Sequence, residues 1–239
     1  MRSILTLITA FIFGTATAWA DIPVELELVL LADTSSSIST REFELQISGY
    51  AKAFRDPDVI AAIEGLGGNG IAVTYVQWSA TFQQFDTVPW THIKDAADAA
   101  TFSDAIASQA RQVISFATAT GSAMVYGADS VASNGFDGKR RVIDLCSDAP
   151  HNLGPHPREV RDAIVNQDIT INGLAILDDN IDLETYFKES IIGGPNSFVI
   201  AVDNYEDFAT AIRLKLEQEI SGKPALSSIP HRPSLSLFR

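Results

Sequence analysis

The chain predicts an α/β fold: a doubly wound, mostly parallel six-stranded sheet with one antiparallel edge strand and helices on both faces. Three observations carry this. Short apolar runs alternate with segments of helical periodicity throughout. Two runs, LVLLA at residues 28–32 and RRVIDLCS at 140–147, read as central strands, and each stops abruptly at an aspartate, Asp33 or Asp148. The first is almost continuously hydrophobic, as a strand buried on both faces of a parallel sheet is. No internal repeat and no linker interrupts residues 21–220, so they read as one domain.

The first twenty of the 239 residues read as a cleaved signal peptide. Arg2 supplies the positive start, residues 4–13 the apolar stretch, and Ala18-Trp19-Ala20 the small-residue cleavage site. The apolar stretch is too short to span a bilayer, and no later stretch reaches eighteen apolar residues. The expected mature protein starts near Asp21, is exported to the periplasm or beyond, and does not insert in a membrane. Cys146 is the only cysteine, which excludes an internal disulfide and a lipid-anchoring cysteine near the cleavage site. A net charge of −13 argues against nucleic acid or anionic lipid as partners.

In order, the first strand covers residues 24–32. Ser39-Thr40-Arg41-Glu42 forms a capping box that opens a helix to Phe54, with Phe43, Ile47, Tyr50 and Phe54 on one face. Asp56-Pro57 interrupts it and a short helix follows to Ile63. Residues 71–78 alternate as a second strand, and 81–88 form its antiparallel partner, ended by Pro89. An alanine-rich helix spans 94–110, and its acids read as a solvated face. SFATATG at 115–121 is a small polar loop before a helix over 122–132, closed by Asn134-Gly135. Strands at 140–147, 169–177 and 198–202 complete the sheet, with a helix at 182–190. Tyr205, Phe208, Ile212, Leu216 and Ile220 form the stripe of a terminal helix. Residues 221–239, rich in Ser and Pro and free of acids, read as a disordered tail.

Asp33, Ser35 and Ser37 follow the first strand, where open α/β sheets bind ligands. One carboxylate and two hydroxyls in a tight turn suit a hard divalent cation such as Mg²⁺. The same residues also read as a polar turn that caps the next helix. If the strands ending at Asp33 and Asp148 flank the reversal of strand order, both carboxylates face one crevice. The Thr118 loop then closes it from the side.

Asp33-x-Ser35-x-Ser37 at a strand end, Thr118-x-Thr120-Gly121 in a later loop and Asp148 after a further strand resemble the metal-ion-dependent adhesion site of von Willebrand factor type A domains. The resemblance implies a Rossmann-like fold over residues 24–220 and a metal site of Asp33, Ser35, Ser37, Thr118 and Asp148. It implies that the hydroxyls bind the cation directly, Mg²⁺ first, with Mn²⁺ or Ca²⁺ as alternatives, and that the aspartates act largely through water. An acidic residue of a protein or peptide partner then completes the shell. One departure stands out: the family commonly places threonine before the last aspartate and glycine after it, where this chain has Ser147 and Ala149. RRVIDLCSDAPHNLG, ITINGLAIL and IIGGPNSFV further resemble an exported bacterial branch of these domains with no assigned function.

An enzyme is the competing class, as a metal-assisted hydrolase of the periplasm. No G-x-S-x-G elbow is present, and Asp33-Thr34-Ser35 lacks the second aspartate of a phosphoaspartate phosphatase. His151 and His156 follow Asp148 but read as loop histidines, since their spacing is not a zinc signature. Asp178 and Asp179 read as a solvated loop on the same face. Asp144, inside an apolar strand, needs a partner that Arg140 or a backbone N–H could supply. Cys146 reads as a small buried hydrophobe. A single domain with no hinge and no second lobe argues against a two-lobed solute-binding design.

Overall fold

The computed structural model describes residues 20–113, 115–178 and 182–223. Residues 1–19 of the expected signal peptide, the tail from residue 224 and Asp179 lie outside the described residues. The strands are β1 (Ile22–Asp33), β2 (Ile71–Trp78), β3 (Gln84–Ile93), β4 (Phe136–Ser147), β5 (Ile169–Ile176) and β6 (Val199–Val202). The helices are α1 (Thr40–Ala53), α2 (Pro57–Glu64), α3 (Ala96–Ala107), α4 (Thr120–Val131), α5 (Pro157–Val165), α6 (Leu183–Ser190) and α7 (Phe208–Ser221).

The strands run in the order β3-β2-β1-β4-β5-β6, with only β3 antiparallel to its neighbour. Strand β1 alternates its side chains between two cores. Leu26, Leu28 and Leu30 meet Tyr50 of α1, Val59 of α2, Phe102 of α3 and Phe208 of α7. Val29 and Leu31 meet Met124 of α4, Ile164 of α5 and Phe187 of α6. Burial on both faces explains the continuous apolar run. Strand order reverses between β1 and β4, so the ends of these two parallel strands open together.

The capping box stands as read: Glu42 N–H donates to the Ser39 hydroxyl, and Ser39 N–H to the Glu42 carboxylate. Four readings are corrected. Strand β3 runs through Pro89 rather than stopping there. Its pairing slips between Val73↔Thr91 and Tyr75↔Val88, so Pro89 occupies a bulge on an edge strand and removes no ladder hydrogen bond. Helix α4 ends at Val131, while Asn134 and Gly135 shape the turn into β4. There Phe136 N–H donates to the Asn134 side chain, and Gly135 has φ 78°. Helix α5 has no counterpart in the sequence reading, because a Gly/Pro-rich approach hides a short, charged segment. Its start carries proline in the first turn and His156 as the cap, whose Nδ1 accepts from Arg158 N–H. Ser221 belongs to α7, which ends at Gly222 in the left-handed conformation, φ 67°.

The β2–β3 connection holds a strained residue. Gln83 N–H donates to the Ala80 carbonyl at 3.0 Å, closing a turn with Phe82 at φ 67°. That position favours glycine, and a bulky side chain there is an outlier. The Phe82 ring is almost wholly exposed, so it has no packing to lose. Phe82→Gly is expected to stabilise the fold by about 0.5–1 kcal/mol. The urea midpoint at constant slope measures it, and a lower midpoint would contradict it.

Candidate metal centre

The candidate site is built on the last residue of β1. Asp33 is fully buried, opposite Trp78 of β2 and one residue past the Ala32↔Cys146 pair with β4. Its Oδ1 accepts from Ser35 N–H at 2.8 Å and its Oδ2 from the Ser147 hydroxyl at 2.5 Å. The hydroxyls of Ser35 and Ser37 are 3.2 Å apart, and Ser37 donates to Asp148 Oδ1 at 2.9 Å. Four of the five sequence-predicted residues thus form one hydrogen-bonded group across the β1 and β4 ends.

Thr118 reaches the same edge by another route. Its N–H donates to the Asn152 side chain at 2.9 Å, and its carbonyl accepts from Asn152 N–H at 3.1 Å. Next to it, Ala119 N–H donates to the Ser79 carbonyl just past β2, at 2.8 Å. Ser36 N–H donates to the Ser115 carbonyl, also at 2.8 Å, tying this loop to the Asp33 turn. Among the described residues no hydrogen bond joins Thr118 directly to the other four. Thr120, two residues on, has a buried hydroxyl without a partner among the described residues.

The turn is held by residues that the sequence reading passed over. The Arg111 guanidinium donates to the carbonyls of Thr34 at 2.6 Å and Ile38 at 2.8 Å, and to that of Ser35. Gln46 donates to the Asp33 carbonyl at 3.2 Å. Both satisfy backbone groups distant in sequence, which leaves no local signal. Ser147, noted as a departure, still supplies the hydroxyl that Asp33 accepts from. Ala149 is not among the residues with positive φ, so its position does not require glycine.

Arg111 is spent on the backbone of the turn and leaves its carboxylates without a paired cation. Burial, then the charge on Asp148, push the Asp33 carboxyl up to about 7, against the hydrogen bonds from Ser147 and Ser35. Asp148 is also raised, by burial and then by Glu42 and Asp178, while its bond from Ser37 pulls the other way. Neither carboxylate pairs with a lysine or arginine among the described residues. The donors are all oxygen, which fits a hard divalent cation. Among the described residues no cluster of three or more His, Cys, Asp or Glu offers a softer site. His151 and His156 stack edge to face 5.9 Å apart, and no hydrogen bond joins either to Asp33 or Asp148 among the described residues. Burial, then His156, lowers the His151 pKa. Asp178 acts on Asp148 through its charge.

Residues 23–224 match the model of a protein family of unknown function, DUF1194. The chain belongs to this family. No curated protein matches the sequence. Solved structures match at low identity and show the fold. Proximal thread matrix protein 1 of the mussel byssus, in a structure with a zinc-occupied MIDAS motif, matches with 16% identity and a TM-score of 0.61. The match covers 82% of this chain and 48% of that one, so the chain spans about half its length. The vWF domain of the Porphyromonas gingivalis pilus tip protein Mfa5 matches with 12% identity and a TM-score of 0.58, covering 87% and 98%. The Lactobacillus rhamnosus pilus adhesin SpaC matches with 13% identity and a TM-score of 0.57, covering 82% and 30%. The fold is that of von Willebrand factor type A domains.

Proposed function

We propose that this chain is an exported recognition module, not an enzyme, that binds a divalent cation and, through it, an acidic residue of a protein or peptide partner. The observation that carries this is a carboxylate pair, Asp33 buried and Asp148 half-buried, linked by hydroxyls at the switch point of the sheet with no lysine or arginine paired to either among the described residues. Ser35, Ser37 and Thr118 would hold the cation, Mg²⁺ in the first instance, with Asp33 and Asp148 behind them. Bound there, the cation supplies a positive point that a partner carboxylate can approach. Asp33 orients Ser35 through its N–H, and Asp148 orients the Ser37 hydroxyl. The zinc-occupied motif of the byssus protein supports a divalent cation, and the adhesin neighbours support a recognition role. Among the described residues no helix is long and apolar enough to cross a membrane. Export rests on the signal-like residues 1–20, and the domain assignment on residues 21–220.

Melting curves test the reading. Millimolar Mg²⁺, Mn²⁺ or Ca²⁺ is expected to raise the melting temperature over that in chelator, by about 2.7 kcal/mol of stability at a hundred times Kd. Thr118→Ala and Ser35→Ala should each shrink the shift while leaving the chelator baseline in place. Three unmoved wild-type curves would overturn the metal site. Metal-dependent turnover of generic ester or phosphoester substrates would replace the recognition role with hydrolysis.

A further inference from the structure

Six large hydrophobic side chains are exposed among the described residues, and three of them lie on loops tied to the Thr118 segment. Phe82 and Phe116 are each 92% exposed and Leu153 is 45% exposed. Each sits on a different loop at the carboxyl edge of the sheet, and the three loops are fastened to one another. The Ser79 hydroxyl, at the foot of the Phe82 turn, donates to the Ala117 carbonyl at 2.9 Å, next to Phe116. Asn152, beside Leu153, holds both backbone polar groups of Thr118. Gly154 lies so close that an added Cβ would stand 3.1 Å from Thr81 Oγ1 and 2.9 Å from Ser122 Oγ. Gly121 is pressed likewise against the Pro155 carbonyl.

This arrangement keeps two phenylalanine rings in water on loops hydrogen-bonded to their neighbours, one of them at a φ that favours glycine. Exposed apolar clusters beside a polar centre mark interaction surfaces, and aromatic anchors on ordered backbone lose little entropy on binding. The opposite flank differs. There the negative charges of Glu42 and Asp178 act on Asp148. We infer that Phe82, Phe116 and Leu153 form an apolar collar on the Thr118 side of the metal centre. Its occupant is a peptide segment of a partner protein, in which one acidic residue is followed on one side by large apolar side chains. This rests on the metal-dependent reading above and adds to it the chemistry and polarity of the segment recognised. The acid alone would make every exposed carboxylate a ligand; the collar selects among them. Negative charge on the other flank and the chain's net charge of −13 disfavour an anionic membrane as the occupant.

A random peptide library displayed on phage tests this, panned on the exported protein in Mg²⁺, in chelator, and on a Phe82→Ser/Phe116→Ser variant. Both rings face solvent, so the variant should melt like the wild type. A Phe116→Leu single variant keeps an apolar group should serine disturb the loop. The wild type in Mg²⁺ is expected to enrich peptides with Asp or Glu and, on one consistent side, Phe, Tyr, Trp, Leu or Ile. Individual peptides should bind the serine variant at least about tenfold more weakly, yet still require metal, and Phe116→Leu should recover most of the loss. Acid enrichment with no apolar preference, and equal affinity for the variant, would overturn the collar and leave the metal reading standing. Peptides that bind equally in chelator would overturn the metal reading itself. No enrichment, variant-sensitive binding to phosphatidylglycerol vesicles, or a dimer in sedimentation that the variant abolishes would each overturn the proposed occupant.

Discussion

Lys215→Met is expected to destabilise the protein by about 3–5 kcal/mol, enough to leave a marginal domain largely unfolded. Lys215 is fully buried on α7, with Nζ 2.6 Å from Asp144 Oδ1 on β4 and 2.5 Å from Glu219 Oε1 one turn on. Asn172 of β5 adds a hydrogen bond to the same Glu219 oxygen at 2.8 Å. Two carboxylates share one ammonium in a dry environment. Burial pulls the Lys215 pKa down, but the two carboxylates together more than offset it and keep the ammonium charged. Burial, then the charge of Asp144, pushes Glu219 up to about 7. Such a cluster is not in itself a source of net stability, but removing its cation strands two buried acids. Lys215 holds both carboxyl pKa values down, so without it their deprotonation costs more and the loss should grow with pH. With its folded pKa raised above the unfolded value, Glu219 holds its proton more tightly in the native state. The stability that proton brings is complete below about pH 4.5 and is lost as pH rises through 7. Urea midpoints at pH 5 and pH 8 measure this. A Lys215→Met/Asp144→Leu/Glu219→Leu triple variant should recover most of the loss, and an equally unstable triple would point to packing instead.

That cluster also shows where reading a sequence stops. Asp144 was legible as a buried carboxylate in need of a partner, because it interrupts an apolar strand. The partner was not, and the expectation of Arg140 fails. Arg140 donates to the Glu219 and Ile220 carbonyls, at 2.6 Å each, and so closes the end of α7. The ammonium comes instead from a helix far along the chain, where Lys215 looks like any surface lysine between apolar neighbours. The same division holds at the candidate site. Asp33 and Asp148 were legible because each ends a strand, and strand order at a switch point is a consequence of alternating β and α segments. Arg111, Asn152 and Gln46 were not, since each acts on backbone groups that only tertiary folding brings near. Helix α5 was lost behind glycines and prolines, and β3 was cut short because a proline inside a strand reads as a stop unless a bulge is known to receive it.

Asp33→Asn is expected to make the metal-free protein more stable at pH 7.5 and unresponsive to metal. Asparagine keeps an oxygen for Ser35 N–H and turns an amide donor toward Ser147, whose hydroxyl already reaches the Ala149 carbonyl at 3.1 Å. The turn should therefore persist. What disappears is a buried negative charge that burial and Asp148 both oppose. Because the folded pKa of Asp33 is raised to about 7 from 3.8, wild-type stability falls as pH climbs from about 4 through 7. The asparagine does not titrate, so its advantage over wild type should open across that window and vanish below it. A divalent cation works against that advantage. Wild type gains about 2.7 kcal/mol at a hundred times Kd, while the variant, lacking the charge behind Ser35, gains almost nothing. Plotted against Mg²⁺ at pH 7.5, the two stability curves should converge as the wild type rises and the variant stays flat. Equal metal shifts in both proteins would show that the cation binds elsewhere. A variant less stable than wild type in chelator would show that the Asp33 charge is already compensated, and that the site has no electrostatic demand for a metal.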